Sequence, residues 1–325
     1  MSKSSRNVAV KTLTLGTPET ILLPRNYNIR NIVLRLTGTI NVATGTTAMT
    51  QLRQGAANIL SNLRVRRDGK DTLFAMDGKA LWELNRVMYG KAPSTTLVAV
   101  SATATNQTLA VNLIIPFENV GGVKEFDTLL STRNLSSLDL LVDTQAAQNI
   151  VYGGNGTITV NTAFTLEVNV NEEILPSQNF IFGDIRHYLA QKVSITGASS
   201  NFQIKPLPVG NSYKGLMLVF EDTGVPSDSL CTNVKVKSGT EIFVDRPYQA
   251  LQNEVGDKKN MGTIGTGIIY IDLMPDGSLN QTLDLTQDSG RQTCELELVT
   301  AAPSGTAYCS VYVLEYIAPV IANKK

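Results

Sequence analysis

Histidine is almost missing from this chain: His187 is the only one in 325 residues. A single imidazole cannot build a His-rich metal site, which excludes metalloenzymes of the cupin type. No serine or cysteine near His187 forms a nucleophile motif, so it reads as an ordinary interdomain or surface histidine. Cysteine is also scarce. Cys231, Cys294 and Cys309 form an odd set with no CxxC spacing, which reads as small buried thiols and excludes a disulfide framework or zinc site. Charged residues make up only 17% of the chain, and 28 basic residues balance 28 acidic ones. That balance argues against a protein whose task is to neutralise nucleic-acid phosphate. No run approaches the ~18 apolar residues of a membrane span. The segment "MSKSSRNVAV" has no apolar signal-peptide core, so the chain is expected to be soluble and intracellular when made.

Asn, Thr, Gln and Ser occupy the place of the missing charge. Such a polar, uncharged surface suits close packing against copies of the same chain, because burying amides costs less than burying ions. Period-two alternation dominates: in "AFTLEVNV", Phe164, Leu166, Val168 and Val170 share one face, and in "CELELV", Cys294, Leu296 and Leu298 do. Turn signals such as Asp68-Gly69 and Asp276-Gly277 separate the runs, and the pattern predicts a sandwich or barrel. Helical periodicity occurs twice. One helix is expected near 78–90, capped by Asp77, stopped by Gly90 and helped onto the sandwich by Trp82. The other is expected near 246–255, capped by Asp245, with Gly256 after it.

The hairpin "NLRVRRDGKDTLF" at 62–74 is echoed by "NVKVKSGTEIF" at 233–243, and each is followed by its helix. Pro116 and Pro275 then end matching strands, and Leu138-Asp139-Leu140 resembles Leu283-Asp284-Leu285. Four similarities in one order, with a shrinking offset, indicate a duplication with an insertion near 118–134 in the first copy. The expected organisation is all-β: two tandem eight-stranded jelly-roll sandwiches, residues 1–171 and 180–325, with a linker at 172–179. The first regular structure is expected from about Thr12. The second copy shows nine candidate strands, near 188–196, 201–207, 215–221, 231–237, 240–244, 267–274, 281–286, 293–299 and 307–317, one more than the eight required, and the pattern does not single out the spare.

No constellation supports catalysis. "GTIGTG", ending at Gly267, lacks a following GK[ST] and precedes a strand. Asp68 and Asp71 fail EF-hand spacing, and Glu295 and Glu297 read as a solvated strand face. The basic positions Arg64, Arg66, Arg67 and Lys70, mirrored by Lys235 and Lys237, fit a strand edge or salt-bridge face better than a phosphate site. No catalytic residue, cofactor or metal is expected.

The tandem plan, the helix after each hairpin and the Asn/Thr-rich surface resemble the double jelly-roll major capsid proteins. That lineage includes adenovirus hexon and the coats of tailless icosahedral, membrane-containing bacteriophages. Residues 54–90 carry most of the resemblance, and compact coats of the corticovirus and finnlakevirus type are the most similar. The resemblance implies a homotrimer shaped as a pseudo-hexagonal block, tiling an icosahedral virion shell beside penton and minor capsid proteins, over an inner viral membrane. It implies assembly in the host cytoplasm and no sequence-specific nucleic-acid binding. Two sets of contact residues follow. The last strand, "AYCSVYVLEYI", is apolar on both faces, so Tyr308, Tyr312 and Tyr316 are expected at a subunit or interdomain contact. Lys3, Arg6, Lys324 and Lys325 are candidates for membrane or phosphate contact. The rival reading is a carbohydrate- or receptor-binding sandwich or minor spike protein, which usually shows more than the 6% aromatic residues found here.

Overall fold

The computed structural model describes residues 2–44, 49–96, 103–146, 151–153, 156–174, 182–258 and 265–319. The chain divides into two compact units. The first holds Met1–Arg86, Lys91–Asn119 and Phe126–Phe182, and the second holds Val87–Gly90, Val120–Glu125 and Gly183–Lys325.

The main strands of the first unit are β1 (Ser2–Leu13), β2 (Glu19–Leu22), β3 (Asn28–Thr44), β4 (Leu60–Arg67) and β5 (Asp71–Met76), then helix α1 (Gly78–Tyr89). After it come β6 (Ala104–Pro116), β7 (Leu138–Thr144) and β8 (Gly156–Ile174). They form two antiparallel sheets in the orders β1-β8-β3-β6 and β2-β7-β4-β5. The second unit repeats this with β9 (Asp184–Ile195), β10 (Ser199–Ile204), β11 (Ser212–Asp222), β12 (Cys231–Ser238) and β13 (Glu241–Pro247). Helix α2 (Tyr248–Lys258) and strands β14 (Ile268–Asp272), β15 (Glu295–Thr300) and β16 (Ala307–Ile317) complete it. Its sheets run β9-β16-β11-β14 and β10-β15-β12-β13. Strand for strand this is the same order, the eight-stranded jelly roll, written twice.

Pairing registers make the duplication finer than strand order alone. The first strand of each unit breaks register at one residue, Val8 in β1 and Ala190 in β9. The third strand of each breaks register at a basic residue, Arg30 in β3 and Lys214 in β11. Bulges re-aim a strand locally, and two of them at matching places are hard to reach by independent routes.

Period two puts the apolar row inside. In the second unit Leu216, Leu218, Ile269, Ile271, Val311 and Val313 from one sheet meet Val234, Val236, Leu296 and Leu298 from the other in a single core. Tyr248 and Leu251 of α2 join the same core. Each such side chain contributes about 1.5–3 kcal/mol when taken from water. The hairpin turn between β4 and β5 is set by Asp68 and Gly69, whose φ angles of 51° and 71° are those of a tight two-residue hairpin turn.

Several sequence expectations change here. Regular structure starts at Ser2 rather than near Thr12, because β1 is a polar edge strand carried by its backbone ladder to β8 and gives little apolar signal. Residues 172–174 of the expected linker belong to β8, and 175–179 lie outside the described residues. Asp245 does not cap α2. Its carboxylate accepts from Asn233 Nδ2 at 2.8 Å and lies 3.4 Å from Lys235 Nζ, so β13 continues to Pro247 and the helix begins at Tyr248. Gly256 lies inside α2. Leu283-Asp284-Leu285 is not the counterpart of Leu138-Asp139-Leu140. Arg64 faces Leu141 and Lys235 faces Glu297, so β7 matches β15, while Leu283–Asp284 is a two-residue bridge on β11 and is the spare segment. Around the insertion, Glu118, Thr128, Leu129, Leu130 and Thr132 are buried, and Leu130 bridges to Ile29.

Helix α1 is more deeply buried than a surface helix, with Ala80 to Asn85, Val87 and Met88 inside. Asp77 Oδ1 accepts from the Ala80 amide at 2.6 Å, Trp82 Nε1 donates to Thr95 Oγ1 at 3.1 Å, and Gly90 ends the helix at φ 70°. Glu83, buried beside Arg53 and Gln54, is the one acid in the helix, and burial raises its carboxyl above the usual range despite those donors. Asp77→Ala is expected to lower stability by roughly 0.5–2 kcal/mol. A denaturant midpoint shift at constant m-value is the check.

Candidate functional site

The last strand, β16, is paired on both edges, to β9 and to β11. One row of its side chains, Cys309, Val311 and Val313, fills the sandwich core. The other row is also withdrawn from water: Tyr312 is 4% exposed and Leu314 is fully buried, with Met217 and Ile268 on neighbouring strands. Tyr308 and Tyr316 are half-buried. The ring of Tyr308 lies 4.7 Å from Lys192 Nζ, and the ring of Tyr316 fills the space that a Cβ at Gly183 would need. Glycine at 183 is therefore the condition for seating Tyr316. The corresponding outward row of the first unit is polar. On β8 it carries Thr165, Glu167 and Asn169, all half-buried, and Arg35 of β3 lies 3.4 Å from Glu167. The same strand position is wettable in one unit and apolar in the other.

Each unit also holds a buried glutamate at one place in the plan. Glu172 faces Ile29 and Glu315 faces Tyr213, each beside the shared bulge. Arg6 Nη2 reaches Glu172 Oε1 at 2.8 Å; in the second unit Tyr188 Oη donates to Glu315 Oε1 at 2.6 Å and Asn211 Nδ2 donates to Oε2 at 2.9 Å. Burial, then this hydrogen bond, raises the Tyr188 hydroxyl far above the phenol range, so it remains a donor. Around Glu172, Arg30 pairs with Glu118 at 2.7 Å, Asn31 donates to Glu118 at 2.8 Å and Asn171 donates to Asn31 at 2.7 Å. The guanidinium of Arg30 also lies 5.0 Å from the ring of Phe126. Sequence reading missed this network. The signal was present as Glu-Glu-Ile at 172–174 against Glu-Tyr-Ile at 315–317, hidden because the first stretch reads as linker.

The expected basic face resolves into ladders. Lys235 lies 3.6 Å from Glu297, Lys237 lies 3.5 Å from Glu295 and pairs with Glu297, and Arg64 lies 3.1 Å from Asp143. The hydrogen bond that the Lys237 ammonium donates to Glu297 holds it above its ordinary range. These cations are matched by their own sheet, which leaves little charge for a phosphate. Lys3 lies in β1 with its amine 6.0 Å from the Phe126 ring, and Arg6 is engaged by Glu172. Lys324 and Lys325 lie outside the described residues.

Cys231, Cys294 and Cys309 are buried free thiols, and burial pushes Cys231 and Cys294 up to about 12. Of the two readings of His187, interdomain or surface, the surface one falls: the residue is 1% exposed. Among the described residues no group of three acids, cysteines or histidines is placed to hold a metal, and no helix is long and apolar enough to cross a membrane.

No family model matches the chain, and no curated protein matches it. Solved structures do. The STIV MCP superposes with a TM-score of 0.78 at 18% identity, covering 98% of both chains. The major capsid protein P2 of bacteriophage PM2 gives 0.64 at 14% identity and 99% of both chains. The capsid of PBCV-1 gives 0.66 at 12% identity, covering 99% of this chain and 97% of that one. The fold is the double jelly roll of viral capsid proteins. The match covers 98–99% of this chain and 97–99% of those three.

Burial, with the nearby Lys214 ammonium second, pushes the His187 imidazole down to about 3 from 6.5. The folded chain therefore binds fewer protons than the unfolded chain between those values, and the stability held above 6.5 is lost as pH falls toward 3. His187→Gln is expected to flatten that acid limb. Melting temperature measured across the interval, in wild type and variant, is the check.

Proposed function

We propose that this chain is a structural, non-enzymatic capsid subunit that builds a virion shell from copies of itself. The carrying observation is the tandem repetition of one jelly roll through the entire chain, at the same length as the capsid proteins it superposes on. A duplicated sandwich lets a threefold assembly occupy a six-cornered site, and divergence of the copies lets neighbours be told apart. The reading includes a homotrimer, an icosahedral lattice, penton and minor capsid partners, an internal membrane, and assembly in the host cytoplasm. The domain limits proposed for it follow the strands: the first sandwich runs through β8 to Ile174, and the second is under way by β9 at Asp184.

The apolar outward row of β16 supports a contact role for Tyr308, Tyr312 and Tyr316, since a strand wet on one side has no need of it. Lys3 and Arg6, with Lys324 and Lys325, are the proposed membrane or phosphate contacts, and Lys3 is the more available of the first two because Arg6 is held by Glu172.

Native mass spectrometry of the purified chain is expected to give a trimer of three 35.1 kDa subunits or larger closed assemblies. A monomer at every concentration overturns the shell reading. Tyr316→Ala is expected to weaken the trimer about tenfold, or ~1.4 kcal/mol, and sedimentation midpoints equal to wild type remove the β16 contact. Binding of the trimer to vesicles is expected to need anionic lipid and to fall with salt; indifference to both removes the headgroup contact.

A further inference from the structure

The lysines of β12 are matched by acids of their own sheet, but two arginines of the first unit are not. Arg25 follows β2 and Arg133 precedes β7, and both line a groove of about 660 Å³ with Asn26, Ser136 and Ser137. Both are exposed, and neither has an ion pair among the described residues. No carboxylate lines the groove among those residues.

The two walls are held by the chain's own hydrogen bonds. On one side the Leu23 amide donates to Leu138 O at 2.8 Å. On the other, the Leu135 amide donates to Thr132 O at 3.2 Å, and Thr132 Oγ1 donates to Tyr27 O at 2.6 Å. Asp68, the acid bonded to this wall, accepts from the Ser136 amide at 2.6 Å and from Ser136 Oγ at 2.8 Å, and does not line the groove. Arg25 Nη1 donates across to the carbonyls of Leu135 and Ser136, which leaves Nε and Nη2 as uncommitted donors.

A guanidinium already pinned by two carbonyls has little freedom left to lose on binding. Its partner, Arg133, brings a second fork to the same groove, with carboxamide and hydroxyl donors beside it. A carboxylate offers two oxygens, which one fork satisfies. A phosphate group has oxygens for both.

We propose that this groove is a phosphate-binding site, with Arg25 and Arg133 as its two clamps and Asn26, Ser136 and Ser137 as neutral donors. The phosphate is that of a lipid headgroup or of a free phosphate; the recognising chemistry is the same. The site uses none of the residues proposed above for membrane contact and holds whether or not the chain builds a shell. It lies at the same end of the first sandwich as Lys3: residues 23–27 join β2 to Asn28, which pairs with Glu173, which in turn pairs with Lys3.

The test compares wild type, Arg133→Gln, the double variant Arg25→Gln with Arg133→Gln, and Lys3→Gln. Equilibrium dialysis at constant ionic strength reads binding of inorganic phosphate. Co-sedimentation with phosphatidylcholine vesicles, with and without phosphatidylglycerol, reads headgroup binding. Wild type is expected to bind phosphate, and Arg133→Gln to bind it about tenfold more weakly. The melting temperature of Arg133→Gln is expected to equal that of wild type, because Arg133 has no bond to lose among the described residues. This single variant covers the case in which loss of Arg25 disturbs the loop it pins. Weaker binding of Arg133→Gln to phosphatidylglycerol vesicles names the headgroup as a source, and weaker binding in dialysis alone names free phosphate. A wild type that binds neither probe, or an Arg133→Gln chain that binds both as wild type does, overturns the site. Vesicle binding lost in Lys3→Gln, with both arginine variants equal to wild type in both assays, overturns the groove and leaves the Lys3 contact standing.

Discussion

The fold depends on one constraint: backbone polar groups must pair along both edges of the inner strands while alternate side chains leave water. Strand β8 shows what satisfying it requires. It hydrogen-bonds to β1 on one side and to β3 on the other, and Phe164, Leu166, Val168 and Val170 all turn inward. A one-residue slip would reverse every one of them. The bulges at Val8 and Arg30 are among the permitted exceptions, and their recurrence at Ala190 and Lys214 shows that the second unit solves the same problem in the same places.

The buried glutamates show where the copies stayed alike and where they parted. Both units keep a carboxylate beside the second bulge, but one is held by a guanidinium and the other by a phenol and an amide. A charge inside a sandwich is tolerated only with donors at hand, so the site preserved the acid and exchanged what surrounds it.

Alternation made most of the fold legible in the sequence. The hairpin echo at 62–74 and 233–243 corresponds to β4–β5 and β12–β13, and the stretch "AYCSVYVLEYI" is the last strand, Ala307–Ile317. What escaped reading has physical causes. Strand β1 has almost no apolar row, so only its partner reveals it. Asp245 met the local rule for a cap but had better partners across the sheet. The Leu-Asp-Leu pair matched as letters while pairing differently, because three residues carry too little pattern to fix a register. The residues proposed for contact were legible only as an excess of apolar side chains on β16, and the Glu172 network only as two glutamates with no evident reason.

The contrast between Asn169 and Tyr312 has a wider consequence. Both lie next to an inward valine, Val168 and Val311, at the same pairing step of their units. Once the gene held two versions of one sandwich, the outer wall of each could answer to a different neighbour while the inner wall stayed under a common demand. A lone sandwich repeated by symmetry must compromise, because one surface serves every contact. This chain carries a half-wetted polar row at Thr165, Glu167 and Asn169 and a buried apolar row at Tyr312 and Leu314 in a single reading frame, so its two sandwiches are not interchangeable.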